Sequence, residues 1–144
     1  TRLLFVALAW LATLAVACRA LDPTYTEPAL IVLRGDTATI MAPDSVNRGA
    51  GFQVSVETFG GGCTRQVART GEKVSGNIVE IRPFNETTKI DGRQFCPSDI
   101  FPLTHTATVE IKQVGAATIR VIGEARDLAG RVMPAQVQRV ITVR

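Results

Sequence analysis

Gly51-Phe52-Gln53-Val54-Ser55-Val56-Glu57-Thr58 alternates apolar and polar residues through its middle. In an extended chain successive side chains point to opposite faces, so Phe52, Val54 and Val56 share one face and Gln53, Ser55 and Glu57 the other. That is the signature of a strand with one buried side. Working outward, the same short runs recur between turn residues. An apolar run at 29–33 closes at Arg34-Gly35-Asp36 and is followed by 37–41. A weaker run covers 64–69, and 77–82 holds Ile78, Val79 and Ile81 before stopping at Pro83. In 106–112 the residues Ala107, Val109 and Ile111 point inward. Val114-Gly115-Ala116 turns the chain into 117–126, where Ile119, Val121, Gly123 and Ala125 share a face, and 137–144 ends the sequence. No window of a dozen residues carries a helical period. Strands about every ten to fifteen residues, with Gly, Pro, Asn and Asp between them, predict an all-β fold: a β-sandwich of about seven strands over 29–144.

The N-terminal stretch has a different character. Arg2, an apolar run from Leu3 to Val16 and a small residue before Cys18 read as a secretory signal peptide over 1–17. The run is shorter than the roughly 18–20 residues that span a bilayer. Ala15-Val16-Ala17-Cys18 approximates a bacterial lipobox, although Leu14 falls one residue early and the same residues satisfy the Ala-x-Ala rule for ordinary cleavage. Lipid on Cys18 is therefore expected. A Pro- and Thr-containing tether over 18–28 would lead to the folded domain. This places the protein in the bacterial cell envelope, anchored to a membrane; a soluble periplasmic or extracellular form is the alternative.

The chain has three cysteines and one histidine. Export favours disulfides, and once Cys18 is assigned to lipid the remaining pair is Cys63 with Cys96. Setting Arg2 aside leaves fifteen basic against thirteen acidic residues, a net of +2. The arginines lie singly along the strands, so the clustered basic face of a nucleic-acid binder is missing. Acidic residues are also dispersed, without the paired carboxylates of glycoside hydrolysis or a dense Asp/Asn calcium loop. No catalytic, cofactor-binding or metal-binding residues are expected.

Ile119-Arg-Val-Ile-Gly-Glu-Ala-Arg-Asp-Leu-Ala-Gly-Arg131 resembles the penultimate strand and following turn of bacterial immunoglobulin-like domains. Ala125, Asp127, Ala129 and Gly130 match the family's Ala-x-Asp-x-Ala-Gly pattern, and 137–143 supplies a final strand. The resemblance implies an immunoglobulin-like β-sandwich in a secreted setting and no activity. The sole Trp, Trp10, lies in the leader and the sole Tyr, Tyr25, in the tether. The core Trp and tyrosine corner of antibody-type domains are accordingly absent.

If the strands from Gly51 onward run up and down, the chain leaves 51–58, 77–82 and 117–126 at one end. Gly60-Gly61-Gly62, the segment 83–103 and the turn 127–133 gather there, within reach of a Cys63–Cys96 bond. The glycines there serve to reverse the chain. Loops on a rigid sandwich commonly carry recognition, and Phe84, Arg93, Phe95, Phe101 and Arg131 are the candidate ligand-facing residues. His105 is expected to be a half-exposed structural histidine. A turn accounts for Arg34-Gly35-Asp36, and turn polarity for the glycosylation-like Asn85-Glu86-Thr87. The expected function is binding or structural, with the membrane reached through the lipid and an envelope protein or peptide as partner. The alternatives are an accessory subunit of an envelope assembly, using 29–33 or 137–144 as a free strand edge, and a freely secreted small enzyme or inhibitor.

Overall fold

The computed structural model describes residues 24–34, 37–38, 40–89 and 95–144; the expected signal peptide, Cys18 and Arg93 lie outside them. The chain is all-β, and no helix occurs among the described residues. Six short strands come first: β1 (Thr24–Pro28), β2 (Leu30–Ile31), β3 (Leu33–Arg34), β4 (Thr37–Ala38), β5 (Ile40–Met41) and β6 (Ser45–Val46). Six long ones follow: β7 (Gly51–Gly61), β8 (Thr64–Ser75), β9 (Ile78–Thr88), β10 (Ile100–Glu110), β11 (Gly115–Arg126) and β12 (Val132–Val143).

Alternation sets the core. Phe52, Val54 and Val56 of β7 are buried, as are Val79 and Ile81 of β9, Ala107 and Val109 of β10, and Ala117, Ile119 and Val121 of β11. Ile111, Ile141 and Val143 complete the cluster. Each such branched side chain, fully removed from water, contributes roughly 1.5–3 kcal/mol.

In place of a sandwich of about seven strands, ten strands join one continuous sheet. Pairings β11–β9, β9–β8, β8–β7, β7–β2 and β2–β11 close into a ring of five. Two links are single residue pairs, Gly61↔Thr64 and Leu30↔Glu124. The short β2 wedges between β7 and β11 and joins strands that would otherwise part. Gly123 makes room for it: a Cβ there would stand 2.9 Å from the Ala29 carbonyl oxygen, which accepts the Glu124 N–H at 3.1 Å. The expected edge at 29–33 is therefore interior at Leu30 and Ile31. By contrast β12, among the described residues, pairs on its outer side only with β6, at Thr142 and Val143.

Two segments are more ordered than the sequence suggested. Within the expected tether, Thr24–Pro28 forms β1 and pairs antiparallel with β9 from Thr88 to Phe84. Its threonines and Tyr25 favour extended backbone, and Pro28 is tolerated at the end of an edge strand. Within the expected loop 83–103, residues 83–88 continue β9 and residues 100–103 begin β10. Pro83 does not stop β9 because it falls between two partners, after β11 ends its pairing at Ile81 and before β1 begins at Phe84. Its carbonyl still accepts from the Ala29 N–H at 3.0 Å.

Candidate functional site

β7 and β9 run toward one end, and β9 pairs in parallel with β11, so all three deliver their C-terminal residues to the same place. β7 turns there through Gly61 and Gly62, with φ of 150° and 60°, and presents Cys63. The Cys63–Cys96 disulfide is formed, with Cα atoms 5.0 Å apart. It draws residues 95–99, which have no strand pairing of their own, against the glycine turn. Arg65 holds the same segment from the other side, with Nη1 donating to both Asp99 carboxylate oxygens at 2.7 Å. This guanidinium keeps the Asp99 carboxyl below its ordinary pKa.

The result is a groove of about 690 Å³. Leu30, Leu33, Phe59, Ile100 and Val132 form apolar walls, and Glu27, Asp99, Glu124, Ser98 and Arg126 line it with polar groups. Leu33, Phe59, Ile100 and Val132 all remain substantially exposed. Grooves of this volume, apolar with a few polar groups, are typical of ligand sites. Glu27 is held by the hydroxyls of Thr64, at 3.2 Å, and Thr87. The Glu124 carboxylate makes no hydrogen bond or ion pair among the described residues.

Beneath the groove lies a buried polar cluster. His105 is 0 % and Asn85 1 % exposed, so His105 is fully buried rather than half-exposed. The Asn85 amide donates through Nδ2 to the Phe59 carbonyl at 3.2 Å, which leaves Oδ1 facing His105 Nε2 at 2.9 Å. The neutral imidazole then carries its proton on Nε2, and Nδ1 is free to accept from the Thr70 hydroxyl at 3.3 Å. Thr58 lies 3.1 Å from Nε2 and donates to the Leu103 carbonyl at 3.4 Å. Loss of hydration lowers the His105 pKa from its ordinary 6.5, against the opposing pull of the Arg69 carbonyl. Burial of Asn85 also removes it as a glycosylation acceptor in the folded chain.

An acid sensitivity follows from this. The unfolded chain takes up a proton near pH 6.5 and the folded chain only at lower pH, so stability is complete above about 6.5 and declines below it. The decline should approach 1.4 kcal/mol per pH unit until His105 titrates in the fold. His105 is the only histidine, so urea unfolding from pH 7.5 to 5 reads this group, and a flat profile there would contradict the assignment.

The turn carrying the Ala-x-Asp-x-Ala-Gly pattern is built around Asp127. Its Oδ1 accepts from the Ala129 and Arg131 N–H groups at 2.9 and 2.8 Å, and its Oδ2 from Arg131 Nε at 2.7 Å. These bonds, those from Arg131 first, lower the Asp127 pKa. Gly130, at φ 79°, completes the reversal.

Of the five residues singled out for a ligand-facing loop, the four that lie among the described residues do not converge. Phe84 is half-buried on β9 beneath the Arg69 guanidinium, 4.2 Å from ring centre to Cζ, and Phe101 is half-buried on β10 beneath Arg65 at 4.8 Å. Phe95 is 97 % exposed beside Cys96. Arg131 is locked onto Asp127. None of these four lines the groove. Phe59 and Glu124, which do, were not singled out, although Phe59 shares the outward phase of Gln53, Ser55 and Glu57 and is an apolar residue on a polar face. Comparison of the chain with protein families, characterised proteins and solved structures gives no match.

Proposed function

We propose that the chain is an exported envelope protein, anchored through lipid on Cys18, whose immunoglobulin-like sandwich domain is a binding or structural module. Its partner is an envelope protein or peptide, taken up at the disulfide-closed end. The observation that carries this reading is the groove walled in part by residues 97–100, which the Cys63–Cys96 bond ties to the glycine turn. A covalent tie on an otherwise unpaired segment keeps an apolar surface open without collapse, and preorganisation of that kind reduces the entropy lost on binding. The disulfide itself supports an oxidising compartment. The Asp127 turn supports the immunoglobulin-like reading, because its bonds explain why Asp and Gly occupy their places in the pattern. No catalytic role is proposed.

The anchor is tested with Cys18→Ser in a bacterial host, by membrane fractionation and intact mass. The wild-type chain should fractionate with membranes and carry the added mass of acyl chains, each stabilising attachment by about 0.8 kcal/mol per buried CH₂, while the variant is released. A soluble wild-type chain with the mass of unmodified residues 18–144 would overturn the anchor.

A further inference from the structure

The end that carries the groove also carries a projection of matching chemistry. Leu128 is fully exposed at the tip of the β11–β12 hairpin, between Arg126 and Arg131. Its chain neighbour Asp127 is paired with Arg131 and occupied by the turn, so the tip presents one large apolar side chain beside the Arg126 guanidinium, whose Nη1 donates to the Gly130 carbonyl at 3.1 Å. Within its own chain Leu128 covers nothing. The groove has the complementary character: apolar walls, with Glu27, Asp99 and Glu124 against the single Arg126. Its acidic balance is local, since the chain as a whole has a formal net charge of +3. Asp99 is already paired with Arg65 and Glu27 is held by threonine hydroxyls, which leaves Glu124 as the groove carboxylate without a partner among the described residues.

We infer that the groove is occupied by the β11–β12 hairpin tip of a second copy of this chain, with Leu128 entering between Phe59, Ile100 and Val132 and the Arg126 guanidinium of one copy meeting Glu124 of the other. This rests on reading the disulfide-closed end as a binding surface and names its occupant. Tip and groove adjoin, since Arg126 and Val132, at the base of the tip, also line the groove. A two-fold axis beside that base lets each copy fill the other's groove, which gives a closed, isologous dimer. The contact would cover Phe59, Ile100, Leu128, Val132 and Met133, which the single chain leaves exposed. Exposed apolar surface gathered at one end of a molecule is the usual mark of an interface.

The test places a photo-activatable benzoylphenylalanine at Leu128 in the full chain. Copies grown in light and heavy nitrogen are mixed in mild detergent and irradiated, and the linked peptides are read by mass spectrometry. Light-to-heavy links from position 128 to peptides holding Phe59, Ile100 or Val132 are expected. Glu124→Lys should lower their yield at least about tenfold, as a lost charge pair at a desolvated contact would. Because Leu128 packs against nothing, Leu128→Asp leaves the fold intact and should shift the monomer–dimer midpoint in sedimentation by at least about tenfold. Links confined to one chain, together with a sedimentation profile that Leu128→Asp leaves unchanged, overturn the inference and leave no occupant for the surface. Links to a different envelope protein overturn it while keeping the binding reading.

Discussion

Replacing Cys63 and Cys96 with serine is expected to lower the stability of the domain by about 3–4 kcal/mol. The bond closes a loop with a sequence separation of 33, and in the chain-entropy account a loop of that length restricts the unfolded chain by about this amount. That is a large share of the roughly 5–15 kcal/mol that holds a domain folded. The folded state should lose little beyond the groove wall, because β8 and β9 keep their own ladder. Residues 95–99 would be left with the Arg65–Asp99 pair, half-exposed on both sides and of small worth in water. Urea unfolding of the double variant against the oxidised parent measures the effect. A loss below about 1 kcal/mol would mean that the unfolded chain is already restricted, as the β8–β9 hairpin inside the loop could achieve. Photo-crosslinking from position 128 should fall with it, since the wall that holds Ile100 is no longer pinned.

Asn85→Leu should cost a similar amount by a different route. Leucine is close to asparagine in size, so the core stays filled. What is lost is the pair of bonds to the Phe59 carbonyl and to His105 Nε2. Each group is then buried without that partner, at about 1–3 kcal/mol apiece. Thr58 remains near Nε2 and moderates the His105 share, which puts the expected loss at about 2–5 kcal/mol. The double variant Asn85→Leu/His105→Leu separates polar from steric causes. Removing both partners should recover part of the loss, giving a coupling of about 1–3 kcal/mol in a double-mutant cycle. Strict additivity in thermal or urea unfolding would show that the bond contributes nothing net.

How far the sequence leads is best judged strand by strand. β7 was readable because its inward residues Phe52, Val54 and Val56 are apolar. The common end was readable too, since alternating strand directions carry Cys63 and Cys96 together whichever way the sheets connect. His105 was misjudged because its side chain is polar, although its parity pointed the right way: it shares a phase with Ala107 and Val109, both buried. Asn85 likewise shares a phase with Val79 and Ile81. Parity outlasts composition when polar side chains find partners across the core, and only the fold reveals those partners. β1 and the continuation of β9 through Pro83 were hidden for a related reason. Whether a proline ends a strand depends on which ladder its missing N–H would have joined, and that is set by β1 and β11, far away in the chain. The groove was legible only as an end of the molecule, because its lining comes from nine separate strands and the segment 97–99.

The link between Leu30 and Glu124 also has a temporal consequence. A chain made from its N-terminus presents β2 and the whole β7–β8–β9 set before β11 exists. β2 has β7 on one side but no partner on the other until Glu124 arrives, and β9 lacks its parallel neighbour until Thr118 follows Ile78 into register. Pairings that join early strands to late ones make folding slow, on the millisecond-to-second scale typical of such topologies. Through that interval open strand edges face a crowded compartment. The β7–β8–β9 set already contains Cys63, and it waits for Cys96 as well. Oxidation of that pair, once both cysteines have been made, can commit the incomplete chain to its final shape before β11 is present.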